Sequence, residues 1–348
     1  MDLPRSELDA VLASMGVKDA LAVGRYGGGH INDTFRVCAA SGAEYILQRV
    51  NTGIFTDVAA LADNVRTVTG HLKAKGARTI DVVAFEGPWR LYRFISGCTS
   101  YDVVQTPAEA FAVALAFAKF QDELSDLDAS RLHEILPGFH DTALRLRHLD
   151  EAARADVMGR RAEVAAELAF VDARRGMATT ISSMTASGAI PLRAVHNDAK
   201  ANNVLVPKSG DGDGVVIDLD STMPGSALCD FGDMVRSSSA TAAEDEADLA
   251  KVGASRDLFE ALVAGYLEGA RFLTREECAL MTLAGRISTL EVGMRFLTDY
   301  LAGDTYFKTA YPGHNLVRAR NQFRMVESLE AQERDFAAIA GCPAQPVG

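Results

Sequence analysis

The run from Ala194 to Asp220 constrains this chain more than any other part of it. In AVHNDAKANNVLV, His196, Asp198 and Asn203 have the spacing H-x-D-x-x-x-x-N; beyond the turn SGDGDG the apolar stretch VVID ends on Asp218, with Asp220 two residues on. Two short apolar runs joined by a Gly- and Asp-rich turn read as a hairpin. Asp198 and Asn203 then lie on a loop and the strand it feeds, and Asp218 ends the paired strand. Three polar side chains converge on one cleft, and the remainder of the fold has to supply its walls.

Phosphoryl transfer uses such a set: a carboxylate to orient and deprotonate an acceptor hydroxyl, with an amide and a second carboxylate to hold Mg2+ on the β- and γ-phosphates. Asp198 is the candidate base, Asn203 and Asp218 the candidate metal ligands, and Asp220 an auxiliary ligand. Taken singly, Asp198 and Asn203 also fit ordinary turn residues, and the argument rests on the whole set. His196 reads as a packed organiser of the loop. A literal Asp230-Phe231-Gly232 follows no apolar strand and stands where a helix begins, so Asp230 reads as a helix N-cap.

The flanking periodicities divide the chain in two. Leu8, Val11, Leu12 and Met15 mark a short amphipathic helix with Ser6 at its start and Gly16 at its end. Residues 21–26, 31–38 and 44–50 read as strands, 57–74 as a helix, and 79–85 and 89–95 as two more strands. The expected first lobe, residues 1–97, is a mostly antiparallel sheet with a helix packed on it. From Thr106 the signal is helical, over FAVALAFAKFQDEL and then about 141–153, 155–188, 243–271, 274–301 and 314–338. The second lobe, residues 98–348, is expected to be mostly α, and the fold class is α+β.

A chain of 348 residues exceeds the size at which one core keeps growing, which favours two lobes sharing a cleft. Hydrophobic residues make up 48% and the mean hydropathy is +0.03, enough to exclude disorder over most of the length. No apolar run approaches a membrane span, and MDLPRSELDA lacks the features of a secretory signal, so the expected location is cytoplasmic, with no membrane partner. Five scattered cysteines without C-x-x-C argue against a disulfide framework or structural zinc. With 35 Lys and Arg against 47 Asp and Glu, the net charge of −12 disfavours nucleic acid. The same charge would attract a cationic substrate.

Upstream, YGGGHINDTF joins two strands, and Gly27, Gly28 and Gly29 could lay backbone N–H groups over phosphates, although three glycines between strands also make a plain turn. Arg49 is the basic residue of the third strand, YILQRVN, and Asp63 lies on the following helix. They form a candidate phosphate-anchoring pair; each also fits a solvated surface charge.

These residues resemble the aminoglycoside phosphotransferase and choline kinase superfamily of small-molecule kinases, whose fold is protein-kinase-like, over nearly the whole chain. GGGHINDTF, ILQRVN, HNDAKANNVL, IDLDSTMPGSALCDFGD and MRFLTDYLAGDTYFKTAYPGHNLVRAR are similar to the N-acetylhexosamine 1-kinase branch. The resemblance implies ATP- and Mg2+-dependent phosphorylation of the anomeric hydroxyl of N-acetylglucosamine or N-acetylgalactosamine. It makes Asp198 the base, assigns Asn203 and Asp218 to the metal with Asp220 nearby, and gives His30, Arg295 and Tyr306 to the sugar, with Asp304, His314 and Asn315 as further contacts. Other readings are a salt bridge for Arg295 and an aromatic spacer for Tyr306. The alternative functions are another kinase of the superfamily, acting on an aminoglycoside, choline, an amino alcohol or another sugar, or an inert nucleotide- or sugar-binding sensor. A monomer is expected.

Overall fold

The computed structural model describes residues 3–28, 31–210 and 212–341. Helix α1 (Arg5–Ser14) leads into strands β1 (Ala20–Arg25), β2 (Asp33–Ala39) and β3 (Glu44–Arg49), helix α2 (Val58–Ala74), and strands β4 (Val82–Glu86) and β5 (Trp89–Arg93). The five strands form one antiparallel sheet in the order β1-β2-β3-β5-β4. Alternation decides its faces. Phe35, Val37, Leu47, Trp89 and Leu91 point to one side, where Leu8, Leu12 and Met15 of α1 cover them. Arg90 and Tyr92 belong to the other side and are buried as well, so β5 is enclosed on both faces. Helix α1 begins after Pro4 with no side-chain cap, so Ser6 sits inside the helix rather than capping it.

Strand β6 (Cys98–Thr99) is followed by α3 (Pro107–Leu124), which starts on a reciprocal capping box between Thr106 and Glu109. Next come α4 (Thr142–Ala155), three short helices α5 (Ala165–Asp172), α6 (Arg175–Ala178) and α7 (Thr180–Ala186), and strands β7 (Arg193–Val195), β8 (Val204–Pro207), β9 (Val215–Val216) and β10 (Met223–Gly225). Strand β8 lies between β6 and β9, and β10 pairs with β7. Helices α8 (Ala227–Ser238), α9 (Arg256–Gly269), α10 (Arg275–Ala302), α11 (His314–Ala331) and α12 (Glu333–Ile339) complete the described chain. A small antiparallel sheet beside a larger helical region is the expected α+β architecture.

Three long helical expectations break. The stretch 155–188 is interrupted because Asp156 takes a left-handed conformation (φ 41°) and Gly159 another (φ 67°), ending α4 before the short helices begin. Within 243–271 only α9 is α-helical, starting where the Ser255 side chain accepts from Leu258 N–H. Gln332 divides 314–338 between α11 and α12.

The two regions share packing. Leu61, Val65, Val68 and Leu72 of α2 enter the same apolar core as Phe117 and Leu124 of α3, Phe231 of α8 and Phe259 of α9. A second core gathers α4, α10 and α11 around Leu149, Leu290, Leu297 and Phe323. Helices α9 and α3 meet backbone to backbone: a Cβ on Gly265 would stand 2.3 Å from the Phe111 carbonyl oxygen. Among the described residues no helix is long and apolar enough to cross a membrane.

Candidate active site

Strand β7 delivers the chain into a loop pinned at successive residues. His196 is completely buried, with its ring edge-on to Phe117 and Phe120. Its Nε2–H donates to the Ile217 carbonyl at 2.9 Å, while Nδ1 accepts the Asp198 N–H at 3.3 Å, which fixes the tautomer. Asn197 adopts a left-handed conformation (φ 63°) and donates from Nδ2 to the Ser221 carbonyl at 3.0 Å. The backbone N–H groups of His196 and Asn197 both donate to the Asp230 carboxylate, at 2.8 and 2.6 Å, and Gln121 of α3 donates to it at 2.6 Å. Asp230 therefore does not cap α8, a task that falls to Ser226; one turn into the helix it ties down the loop that presents Asp198.

Asp198 is partly exposed to the cleft. Its Oδ1 is 2.5 Å from Lys200 Nζ, and Asn203 Nδ2 donates to its Oδ2 at 3.1 Å and to its backbone carbonyl at 2.8 Å. Burial, the largest influence, raises its proton affinity, but Lys200, His196 and Asn203 together outweigh it, and Asp198 stays below the ordinary carboxylate value. It is ionised at neutral pH and fit to take a proton.

Asp218, also left-handed (φ 59°), faces the open cleft. Its proton affinity is pushed up to about 7, first by the protein mass around the cleft and then by Asp220, against which Arg90 works, and by Asp198. Water admitted to the cleft moderates the effect, because the side chain itself is exposed. Among the described residues no hydrogen-bond donor reaches the Asp218 carboxylate, and Asn203, donating through Nδ2, keeps Oδ1 as an acceptor. A carboxylate that no donor reaches and a neutral amide oxygen are both hard ligands and fit Mg2+, which is held by one or two protein oxygens together with phosphates. Among the described residues no group of three or more His, Cys, Asp and Glu could hold a metal without such help.

Asp220, expected to stand beside the metal, is engaged otherwise. It is buried, forms a two-pronged ion pair with Arg90 of β5, and accepts from Asn32 Nδ2 at 2.7 Å. Arg49 and Asp63 are not brought together. Arg49 pairs with Asp33, 2.7 Å away and directly opposite in the β2–β3 register, whereas Asp63 faces His133 at 2.9 Å on the surface. The short cross-strand distance wins over a reach to α2. The inward polar residue of α2 is its neighbour Asn64, buried and bonded to Thr222 O and His133 O. Gly27 (φ 77°) and Gly28 open the β1–β2 turn, and a Cβ on either would meet nothing within 4 Å. Gly29 and His30 lie outside the described residues.

On the far side of the loop, His140 Nε2 donates to the Asn197 carbonyl at 3.0 Å and Nδ1 to Glu291 of α10 at 3.2 Å. Burial lowers the proton affinity of His140, but Glu291 outweighs it and lifts the ring above its ordinary value, consistent with both nitrogens facing acceptors. One helical turn beyond Glu291, Arg295 stands among three rings, 5.2 Å from Phe139, 5.6 Å from Phe307 and 6.0 Å from Tyr306. Among the described residues no carboxylate is within ion-pair distance of Arg295 or of Arg145, whose guanidinium donates to the Gly138 and Phe139 carbonyls and whose proton affinity is lowered by burial and then by Arg295. Tyr306 is 68% exposed. Its loop is held by Asp299, which accepts from the N–H groups of Thr305, Tyr306 and Phe307 and from Asn315 Nδ2. Asp304 pairs with Arg160 at 2.8 Å and accepts from Asn315, and His314 faces Asp245 at 3.3 Å.

Sequence reasoning passed over Lys200, Arg90, Asn64 and the anchoring role of Asp230. Lys200 was legible, since it stands two residues beyond Asp198 inside the motif. The signal for Arg90 was indirect: Asp220 is an acid in an apolar context that needs a cation.

The profile of a family described as "APH: Phosphotransferase enzyme family" matches residues 23–273. Among solved structures, choline kinase from Cryptosporidium parvum Iowa II is similar at 12% identity and a TM-score of 0.59, over 97% of this chain and 98% of that one. An aminoglycoside phosphotransferase from Alicyclobacillus acidocaldarius is similar at 15% identity and a TM-score of 0.56, over 92% and 95%. The streptomycin-ATP-APH(2")-IIa ternary complex is similar at 12% identity and a TM-score of 0.56, over 94% and 99%.

Proposed function

The chain belongs to the phosphotransferase enzyme family, kinases of small-molecule hydroxyl acceptors, and from that premise we propose that it phosphorylates the anomeric hydroxyl of an N-acetylhexosamine. The donor is ATP with Mg2+, the acceptor N-acetylglucosamine or N-acetylgalactosamine, and the products ADP and the sugar 1-phosphate. Residues 1–97 hold the nucleotide, and residues 98–348 carry the base and the acceptor site.

The observation that carries the neutral-sugar reading is the state of the charges on the acceptor side. A quaternary ammonium needs an aromatic cage, and the cage formed by Phe139, Tyr306 and Phe307 is filled by Arg295. A polycationic aminoglycoside needs free carboxylates, yet Glu291 is engaged by His140, Asp233 by Arg236, and Asp299 by backbone N–H groups. Two unneutralised guanidinium groups, those of Arg145 and Arg295, favour hydroxyl and amide oxygens over cations. The sequence blocks around His30, Arg295 and Tyr306 point the same way.

In the proposed reaction Asp198 takes the proton of the acceptor hydroxyl as its oxygen bonds to the γ-phosphorus. The bond from that phosphorus to the β,γ-bridging oxygen breaks, and ADP leaves. Lys200 holds the Asp198 carboxylate in place and beside a positive charge. When bound, Mg2+ neutralises charge on the β- and γ-phosphates; Asn203 Oδ1 and Asp218 are the oxygens placed to hold it. Gly27 and Gly28 offer backbone N–H groups to the phosphates.

ATP consumption measured against N-acetylhexosamines, free hexoses, choline and kanamycin tests the proposal. Turnover is expected with the N-acetylhexosamines, and phosphorus NMR should place the phosphate on carbon 1. Turnover of choline or kanamycin alone would move the protein to another acceptor class, and no turnover at all would favour an inert sensor.

A further inference from the structure

Arg90 is 1% exposed and Asp220 4%, and their pairing joins the first sheet to the segment carrying Asp218. The pair is tied into hydrogen bonds from three further side chains. Arg90 Nε donates to Gln48 Oε1 on β3 at 2.9 Å, and Gln48 Nε2 donates to Thr34 on β2 at 3.0 Å. Asn32, next to the glycine turn, donates to Asp220 Oδ2 and accepts the Asn51 N–H at 3.0 Å. Arg90 also lies 5.5 Å from the ring of buried Tyr92. A guanidinium's fork fixes the direction as well as the distance of the carboxylate it grips.

We propose that Arg90 and Asp220 form a positioning pair, which sets the metal ligand Asp218 in register with the first sheet before nucleotide arrives. Asp220 is two residues from Asp218, and Asn32 directly precedes β2, so one buried carboxylate ties the segment that carries Asp218 to the first sheet. The role expected of Asp220 as an auxiliary metal ligand is replaced by this one, since both of its oxygens are already occupied by donors. The proposal rests on the kinase reading of the site but not on which hydroxyl compound is the acceptor.

The test removes the pair without stranding a buried charge, which a single substitution would do. In Arg90→Met with Asp220→Asn the new amide can still accept from Asn32. The primary readout is Mn2+ affinity of the ADP complex, measured by electron paramagnetic resonance without any acceptor present. The expected result is a melting temperature near that of the wild type with metal affinity weakened tenfold or more. Arg90→Lys, which keeps the charge and loses the fork, should give an intermediate affinity. A folded double variant whose Mn2+ affinity is within twofold of the wild type overturns the proposal. So does full restoration by lysine, because a point charge would then suffice. If turnover of N-acetylhexosamines is absent in the wild type while Mn2+ binding weakens in the double variant, the acceptor assignment fails and the positioning pair stands.

Discussion

Asp198 can act as a base only while ionised, and Lys200 at 2.5 Å helps to keep it so. Asp198→Asn should lower kcat by a factor of about 10²–10⁴, the usual worth of a positioned base, with nucleotide affinity retained. Near-normal turnover in that variant would remove the residue from the chemistry. Lys200→Met makes a separate prediction with a definite sign. Removing a cation that holds the Asp198 proton affinity down lets that affinity rise, so the acid limb of the kcat/KM profile should move to higher pH. A limb that stays in place, or moves to lower pH, would show that the lysine does not tune the base. The placement of Asp198, Asn203 and Asp218 around the β8–β9 pair was readable because their spacing is a local property of one hairpin. The partners of Asp220 and Arg49 were not, because a side chain's choice among several opposite charges depends on register. Asp33 is opposite Arg49 across one ladder, and nothing in the linear sequence states that.

Helices α3 and α9 approach so closely that Gly265 has no room for a methyl group beside the Phe111 carbonyl. Gly265→Ala is expected to destabilise by about 1–3 kcal/mol, since the alanine has to push two backbones apart. Chemical denaturation would measure it, and an unchanged midpoint would mean that the helices can separate freely. Activity should fall as well, because α3 carries Gln121, one of the three donors that hold Asp230 and through it the Asp198 loop. The helices that the periodicity placed well, such as α3 and α10, are those with a reciprocal cap and a long apolar face. Those it overran are where a left-handed Asp156 ends α4 or where α9 starts only at its Ser255 cap, inside an apolar pattern. Hydrophobic spacing counts residues but does not see a backbone reversal, so the stretch 155–188 looked continuous. Asp230 was misplaced for a related reason: an acid near a helix start fits both an N-cap and a ligand for some other loop, and tertiary position decides between them.

The division near residue 97 describes where the sheet ends and does not describe two independent cores. Helix α2 contributes Leu61, Val65, Val68 and Leu72 to a core that α3, α8 and α9 also fill, so the first 97 residues cannot bury the apolar face of α2 alone. Calorimetry of the full chain should show one cooperative transition. Two resolved transitions would indicate that the shared core contributes little. The shared core also has a kinetic consequence. A molecule whose halves are fused through α2 and bolted by Arg90 cannot exchange its nucleotide by gaping like a jaw. Solution scattering should therefore give the same radius of gyration with and without Mg2+-ADP; an overall contraction on binding would mean that the jaw opens after all.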